Sequence, residues 1–189
     1  MMFTTVLVAN RGEIAARIID VLRQNNIRSI AIFSEADADS PHVKKADKAI
    51  CIGPAPVSDS YLNQDAIIEA ALAESVEAIH PGYGLLSENA GFARRCEDAG
   101  IRFIGPTPEV IEAMGDKVIA RESAERAGVP VVPGSQGPIT DIDEAHEVAN
   151  EIGYPVLVKA AGGGGGIGMA LVKRESKLAR AIESCRDRG

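Results

Sequence analysis

Aromatic side chains are scarce in this 189-residue sequence: they make up 4% of the chain, and tryptophan is absent. Because 46% of the residues are nevertheless apolar, the composition predicts a core of aliphatic side chains. The sequence also lacks any apolar run long enough to span a membrane. Its short N-terminal apolar stretch is interrupted by Arg11 and Glu13, which argues against a signal peptide.

Cysteine and histidine are also sparse, and each occurs three times. The cysteines lie far apart with no C-x-x-C pair, and the histidines show no metal-ligand spacing, so the sequence predicts neither a disulfide framework nor a metal site. A reducing cytoplasm is the expected location. The net charge of −7 argues against general nucleic-acid binding, which requires a basic surface.

The first part of the chain alternates between strand and helix patterns. A strand over residues 4–9, the turn N-R-G-E, a helix and a strand over residues 30–33 form a β-α-β unit, which predicts a parallel sheet with a right-handed crossover. The predicted apolar face of the helix consists of Ile14, Ile18, Val21 and Leu22. Further strands are predicted over residues 49–52, 77–80 and 102–105, with helices over residues 63–73 and 88–99.

The turn N-R-G-E lacks the G-x-G-x-x-G fingerprint, so this Rossmann-like unit is not expected to bind a dinucleotide. Two interpretations of Arg11 and Glu13 in this turn remain open. They are either solvated or ion-paired turn residues, or structural residues at a seam between domains.

The loop H-P-G-Y-G-L-L-S-E-N, residues 80–89, follows the predicted strand at 77–80. Ligands of open α/β sheets bind beyond the carboxyl ends of the strands, so this loop is a candidate functional site. Tyr83 stands between two glycines, where little else crowds its ring. Ser87 should cap a helix that begins at Glu88. Glu88 is therefore either a functional carboxylate or an acid that stabilises the first helical turn through the helix dipole.

Two helices are predicted on either side of residue 115: one ends near Met114, and the next begins at Lys117. A lysine in a first helical turn opposes the helix dipole, so Lys117 is either a simple exposed lysine or a ligand of a nearby anion. Residues 129–138, rich in Pro and Gly, are predicted to form an interdomain linker. A helix with a capping-box-like start follows over residues 141–152.

Residues 154–169, Y-P-V-L-V-K-A-A-G-G-G-G-G-I-G-M, place five consecutive glycines between two apolar runs. We interpret the runs as the strands of a hairpin and the glycines as a loop whose backbone N–H groups can surround a phosphate. Lys159, on the strand before the loop, supplies a cation for the same anion. A flexible glycine linker is the alternative, but such linkers usually mix glycine with serine. The loop does not follow the Walker pattern, because no Lys-Ser or Lys-Thr follows the glycines.

Six stretches in order across the chain resemble biotin carboxylase, the biotin-carboxylating component of acetyl-CoA, propionyl-CoA and pyruvate carboxylases and a member of the ATP-grasp superfamily. They are V-A-N-R-G-E-I-A-A-R (8–17), H-P-G-Y-G-L-L-S-E-N (80–89), F-I-G-P (103–106), M-G-D-K (114–117), G-V-P-V-V-P-G (128–134) and the glycine-rich residues 154–169.

The resemblance implies an α/β protein with two domains. Residues 1–114 would form the Rossmann-like, parallel-sheet pre-ATP-grasp domain, and residues 115–138 a connecting helix and linker. Residues 139–189 would form the small lid subdomain of an ATP-grasp fold, which ends before the large subdomain.

The resemblance also assigns site residues. The residues implied in ATP binding are Lys117, Lys159, Gly164, Gly165, Gly166, Gly168 and Met169. Among these, the two lysines would contact the phosphates, and Gly165 and Gly166 would belong to the flap that closes over them. The residues implied in a loop near the biotin site are Tyr83, Gly84 and Glu88.

The reaction implied by the resemblance uses ATP, Mg²⁺ and bicarbonate to form carboxyphosphate, and the ureido nitrogen of biotin then captures the released carbon dioxide. Biotin would be carried as a substrate on a carrier protein or domain, and a carboxyltransferase subunit would use the carboxylated product. The full-length enzyme is expected to be a cytoplasmic homodimer that binds neither nucleic acid nor a membrane.

Two features depart from the family pattern. Ile167 stands where the family commonly has Arg or Lys, which removes a cation from the flap. The family's enzymes are also much longer than this chain, and the missing part holds the magnesium ligands, the bicarbonate-binding arginine and the catalytic glutamate. No catalytic residue or metal ligand is therefore assigned in this chain, and the chain alone is predicted to be inactive.

Two alternatives remain open at this point. The chain could be a non-catalytic module that binds nucleotide or pairs with other subunits. It could also be a fragment of another ATP-grasp ligase, such as a carbamoyl-phosphate or purine enzyme, although the loop at residues 80–89 favours biotin carboxylase.

Overall fold

The computed structural model describes residues 3–135, 137–160 and 168–186, and its internal contacts divide the chain into two compact units, Met1–Gly115 and Asp116–Gly189. The strands of the first unit are β1 (Thr5–Val8), β2 (Arg28–Phe33), β3 (Lys48–Cys51), β4 (Ala78–His80) and β5 (Arg102–Phe103). Its α-helices are α1 (Gly12–Gln24), α2 (Pro41–Lys45), α3 (Gln64–Ala73), α4 (Ala90–Asp98) and α5 (Pro108–Gly115).

The described strands of the first unit form one parallel sheet in the order β3-β2-β1-β4-β5. The predicted parallel sheet is therefore confirmed. From β1 the chain adds β2 and β3 on one side of the sheet and then β4 and β5 on the other, so a topological switch point lies between β1 and β4. Val8 pairs with His80 at the carboxyl ends of these two strands. The turn after β1 and the loop after β4 consequently leave the same edge of the sheet, where open α/β sheets bind ligands.

Aliphatic side chains dominate the core on both faces of this sheet. Val6 and Val8 of β1 pack with α1 on one face, whereas Leu7 faces α3 and α4 on the other. This alternation follows from the two-residue period of a strand. Full burial of each of these side chains contributes about 1.5–3 kcal/mol, so the sheet is held from both faces.

Helix α1 buries a different stripe from the predicted one. Its buried residues are Ala15, Ile18, Ile19 and Leu22. Val21 was expected on this face but is 47% exposed. At 100° per residue, Ile18, Ile19 and Leu22 form one stripe, and Val21 lies well off its centre.

Helix α4 begins later than predicted. Asn89, rather than Ser87, is its N-cap, and the Asn89 side chain accepts a hydrogen bond from the Phe92 N–H at 2.8 Å. Before the cap, the Ser87 N–H donates to the Gly84 carbonyl, and Leu85 has a φ of 46°, so the chain turns rather than forming a helix. Glu88 therefore precedes the helix, and a role in its first turn is excluded.

The second unit contains helices α6 (Lys117–Arg126), α7 (Ile142–Ile152) and α8 (Leu178–Arg186) and strands β6 (Val156–Lys159) and β7 (Met169–Val172). The two strands are antiparallel, which confirms the predicted hairpin. A short 3₁₀ turn, Glu175–Lys177, precedes α8. Residues 129–138 lie within this unit and form no regular element in their described part.

None of the helices in the described part of the chain is both long enough and apolar enough to cross a membrane.

Candidate functional site

The hairpin of β6 and β7 has one buried face and one exposed face. Val156, Val158 and Val172 pack toward α7 and α8. The opposite face carries two cross-strand pairs, Leu157 with Leu171 and Lys159 with Met169. Because side chains alternate along a strand, the sequence places every second residue on this outer surface.

The outer face, defined by Leu157, Lys159, Met169 and Leu171, is apolar with one cation at the end. Leu157, Met169 and Leu171 are 48%, 44% and 61% exposed. Exposed apolar groups that lie together mark ligand or protein contact sites. Lys159 and Met169 are among the site residues predicted from the sequence, whereas Leu157 and Leu171 are not. The period of two along the strands was the signal that could have found them.

The glycine loop joins the two strands at the end where Lys159 lies. Gly164, Gly165, Gly166 and Ile167 fall outside the described residues. Gly168 is described: its φ is 72°, and its carbonyl accepts a hydrogen bond from the Ala160 N–H at 2.8 Å. A Cβ on Gly168 would lie 2.9 Å from the Ala160 Cβ, so the close of the hairpin requires glycine here.

Lys117 is the first residue of α6, and Asp116 is the N-cap of this helix. The Asp116 side chain accepts hydrogen bonds from the Val118 and Ile119 N–H groups at 2.8 and 3.0 Å. This carboxylate satisfies the helix N-terminus and supplies the negative charge that the dipole favours there. The cap therefore offsets the unfavourable position of Lys117 in the first helical turn.

A second candidate region lies at the switch point of the first unit. It is an open cleft of about 360 Å³ between the turn after β1 and the loop after β4. Tyr83 and Gly84, two of the predicted biotin-site residues, line this cleft together with Asn10, Arg11 and Glu13. Glu88 is exposed and is not among the residues that line it.

The Tyr83 ring is held at the rim of the cleft. The residue is 62% exposed, and its hydroxyl donates a hydrogen bond to Oε1 of Glu13 at 2.8 Å. This carboxylate raises the pKa of the Tyr83 phenol, so the phenol remains a hydrogen-bond donor at neutral pH. Glu13 thus has a partner that its sequence context did not reveal.

Arg11 forms the wall of the cleft and is ion-paired. Its Nε and Nη2 donate to the two carboxylate oxygens of Asp37 at 2.8 and 2.7 Å. The ion-pair interpretation of Arg11 is therefore correct, whereas its partner Asp37 was missed. The guanidinium also lies over the Tyr61 ring, 5.4 Å from its centroid. These contacts lower the pKa of Asp37 to about 2, with the Arg11 hydrogen bonds as the main cause.

Within the described ranges, no group of three or more His, Cys, Asp and Glu side chains is placed to hold a metal ion.

Comparisons with known proteins show which family the chain resembles. Residues 2–111 match the family model described as "Biotin carboxylase, N-terminal domain", and residues 116–189 match "Carbamoyl-phosphate synthase L chain, ATP binding domain". The chain is 58% identical over 181 residues to a biotin carboxylase of Halalkalibacterium halodurans, covering 96% of this chain and 40% of that protein. It is 52% identical over 183 residues to the 2-oxoglutarate carboxylase small subunit of Hydrogenobacter thermophilus, with 97% and 39% covered.

Solved structures show the same likeness. The biotin carboxylase domain dimer of Hydrogenobacter thermophilus 2-oxoglutarate carboxylase, in complex with MgADP, ADP and bicarbonate, matches 99% of this chain and 41% of that chain, with a TM-score of 0.90 and 51% identity. A Campylobacter jejuni biotin carboxylase in complex with a β-γ-ATP ligand matches 99% and 42%, with a TM-score of 0.93 and 46% identity.

The fold and the matches define a Rossmann-like α/β domain followed by part of an ATP-grasp-related ATP-binding domain. The chain belongs to the biotin carboxylase family. It spans about 40% of the length of the curated relatives that it matches.

Proposed function

We propose that this chain is the N-terminal portion of a biotin carboxylase, which uses ATP, Mg²⁺ and bicarbonate to carboxylate biotin on a carrier protein. The domain division expected from the sequence is part of the proposal: residues 1–114 as the Rossmann-like domain, 115–138 as the connection and 139–189 as the lid subdomain. A carboxyltransferase subunit, a cytoplasmic location and a homodimer of the complete enzyme also belong to the proposal.

The observation that carries the proposal is the outer face of the β6–β7 hairpin. It combines exposed apolar groups, Leu157, Met169 and Leu171, with a lysine beside a run of glycines. An apolar surface fits the base of a nucleotide, and a lysine with glycine N–H groups fits its phosphates. The structures of related carboxylases with bound MgADP or an ATP ligand support this assignment.

In the proposed site, Lys117 and Lys159 offset negative charge on the transferring γ-phosphoryl group. The backbone N–H groups of Gly164, Gly165, Gly166 and Gly168 surround the phosphates from the flap side. The Tyr83–Gly84 segment contributes the edge of the biotin site in the first unit. The proposal retains Glu88 as a further residue of the same loop, outside the cleft that Tyr83 and Gly84 line.

Phosphoryl transfer of this type depends on magnesium. The proposal assigns the magnesium ligands to the part of the related carboxylases that this chain does not cover. A polypeptide of these 189 residues, prepared by itself, should not turn over.

Bicarbonate-dependent ATPase activity tests the proposal. We define the fusion protein as this chain joined to the segment of the Halalkalibacterium halodurans biotin carboxylase that follows the matched region. The fusion protein should hydrolyse ATP in the presence of bicarbonate and carboxylate free biotin, whereas the 189-residue polypeptide should not exceed its Lys159→Ala variant.

The result separates the alternatives. A fusion protein that folds and forms a stable complex with other subunits, but is inactive, would contradict the proposal and favour a non-catalytic module. Activity with an acceptor other than biotin would favour another ATP-grasp ligase. Activity of the isolated 189-residue polypeptide above the Lys159→Ala control would overturn the expected dependence on the remaining part.

A further inference from the structure

Two sequence motifs that lie about 70 residues apart meet at the switch point of the sheet. Val8 of β1 pairs with His80 of β4, and the Ala9 N–H donates to the His80 carbonyl at 2.9 Å. The turn N-R-G-E and the loop H-P-G-Y-G therefore leave the sheet side by side. This juxtaposition brings Asn10 directly against the loop that contains Tyr83.

Asn10 is only 4% exposed, and its side chain uses all of its hydrogen-bonding groups on main-chain atoms. Its Nδ2 donates to the Pro81 carbonyl at 2.6 Å and to the Tyr83 carbonyl at 2.9 Å. Its Oδ1 accepts from the Arg11 N–H at 2.9 Å. One amide thus ties the turn after β1 to two points of the loop after β4. An aspartate of the same shape has no donor for these carbonyls.

The loop itself has a backbone that needs such support. Gly82, Gly84 and Leu85 all have positive φ values, of 66°, 64° and 46°. A leucine rarely adopts this conformation, and it persists only when surrounding contacts impose it. A Cβ on Gly82 would lie 2.7 Å from Nδ2 of Asn10, so glycine at this position is what allows the amide to approach.

Glu13 holds the ring of Tyr83 from the same turn, through the 2.8 Å hydrogen bond to its hydroxyl. This bond is exposed, whereas the Asn10 bond to the Pro81 carbonyl is buried and the bond to the Tyr83 carbonyl is partly buried. Because an unpaired buried polar group costs more than an exposed one, Asn10 should dominate the conformation of the loop and Glu13 should adjust the ring.

We propose that Asn10 is a positioning residue: it fixes the loop of residues 81–85 so that Tyr83 and Gly84 present a preformed edge to the biotin ring. Glu13 fixes the Tyr83 side chain by accepting the hydrogen bond from its hydroxyl. This inference rests on the proposed function for its consequence in catalysis, but its structural part is independent of that function.

Hydrogen–deuterium exchange on the 189-residue chain tests the structural part. Asn10→Asp should speed exchange of the loop amides of Gly82 and Ser87 about ten-fold, because it removes one buried and one partly buried hydrogen bond. Asn89→Asp is the matched control: the Asn89 side chain acts only as an acceptor from the Phe92 N–H, and a carboxylate accepts equally well. Unchanged exchange of Gly82 and Ser87 in Asn10→Asp would overturn the proposal.

The fusion protein tests the catalytic part. Asn10→Asp should raise the KM for free biotin about ten-fold, the equivalent of losing one well-made buried contact, while kcat changes less than about two-fold. Asn89→Asp should change neither constant. If the parent fusion protein is active and Asn10→Asp leaves the KM for biotin unchanged, the positioning role is wrong although the proposed function stands. An inactive parent contradicts the proposed function, and the exchange experiment still decides the structural role.

A second pair of variants keeps the proposal testable if Asn10→Asp fails to fold. Glu13→Ala removes the acceptor for the Tyr83 hydroxyl and should raise the KM for biotin, whereas Glu13→Gln retains an acceptor oxygen and should restore it. If Glu13 had only a structural role, Glu13→Ala and Glu13→Gln would have the same KM for biotin. Equal KM values for the two Glu13 variants would therefore contradict the ring-positioning part.

Discussion

The carboxylate of Asp37 receives both forks of the Arg11 guanidinium, at 2.8 and 2.7 Å, and also a hydrogen bond from the Tyr61 hydroxyl at 2.7 Å. Asp37 is 9% exposed, so these bonds replace nearly all of its water contacts. Arg11 follows β1, Asp37 follows β2 and Tyr61 precedes α3. The ion pair and the Tyr61 hydrogen bond thus connect these three segments of the first unit beside the cleft.

Replacement of Asp37 by asparagine should lower the free energy of unfolding by about 2 kcal/mol, because it leaves the guanidinium without its anion. Asp39→Asn is the matched control, since the Asp39 side chain is fully exposed where it faces Lys44. Urea unfolding of both variants and the parent chain measures the difference. Equal midpoints for the two variants would show that the Arg11–Asp37 pair does not stabilise the fold.

The stability of the chain should depend on pH through the same carboxylate. The folded-state pKa of Asp37 is about 2, lowered from 3.8 chiefly by the hydrogen bonds from Arg11. A lowered acid pKa stabilises the fold fully above pH 3.8, and this contribution is lost as the pH falls toward 2. The unfolding free energy of the parent should therefore fall more steeply than that of Asp37→Asn between these pH values. Parallel pH profiles would contradict the assignment.

The outer hairpin face should control nucleotide affinity with little effect on stability. Leu157→Ser removes an exposed apolar contact, and we expect ATP binding to the fusion protein to weaken about ten-fold, equivalent to roughly 1.4 kcal/mol. Leu72→Ser provides the control, because Leu72 is 54% exposed in the first unit. Isothermal titration calorimetry measures the affinities. Similar ATP affinities for Leu157→Ser and Leu72→Ser would show that the nucleotide base does not bind on the outer face of the hairpin.

Alanine substitutions at Gly82 and Gly84 separate the effect of the Asn10 contact on stability from the effect of the backbone conformation. Both have φ values near 65°, so alanine at either position should cost about 1 kcal/mol of conformational energy. Only at Gly82 does the added Cβ meet Asn10, at 2.7 Å, whereas at Gly84 no atom lies within 4 Å. Gly82→Ala should therefore lower the unfolding free energy at least about 1 kcal/mol more than Gly84→Ala in denaturant titrations. Equal losses of unfolding free energy in the two variants would mean that Asn10 moves away from the added Cβ at no energetic cost.

Local patterns predicted much of the fold. The two-residue and 3.6-residue periods located the strands and most helices, because these periods follow from backbone geometry within a few residues. The hairpin around the glycine-rich stretch and the parallel β-α-β start are examples. Helix boundaries were less well predicted: the cap of α4 fell on Asn89 rather than Ser87, since both residue types cap helices and the intervening turn has no local signature.

The motifs themselves determined the family and the nucleotide-binding interpretation, because each is a contiguous string of residues with a backbone role. Only the tertiary structure decided which motifs meet. Asn10 and Tyr83 are 73 positions apart, and Arg11 and Asp37 are 26 apart. Their contacts depend on the strand order that places β1 between β2 and β4. Local propensity does not encode that order: it follows from how the helices cover both faces of the sheet.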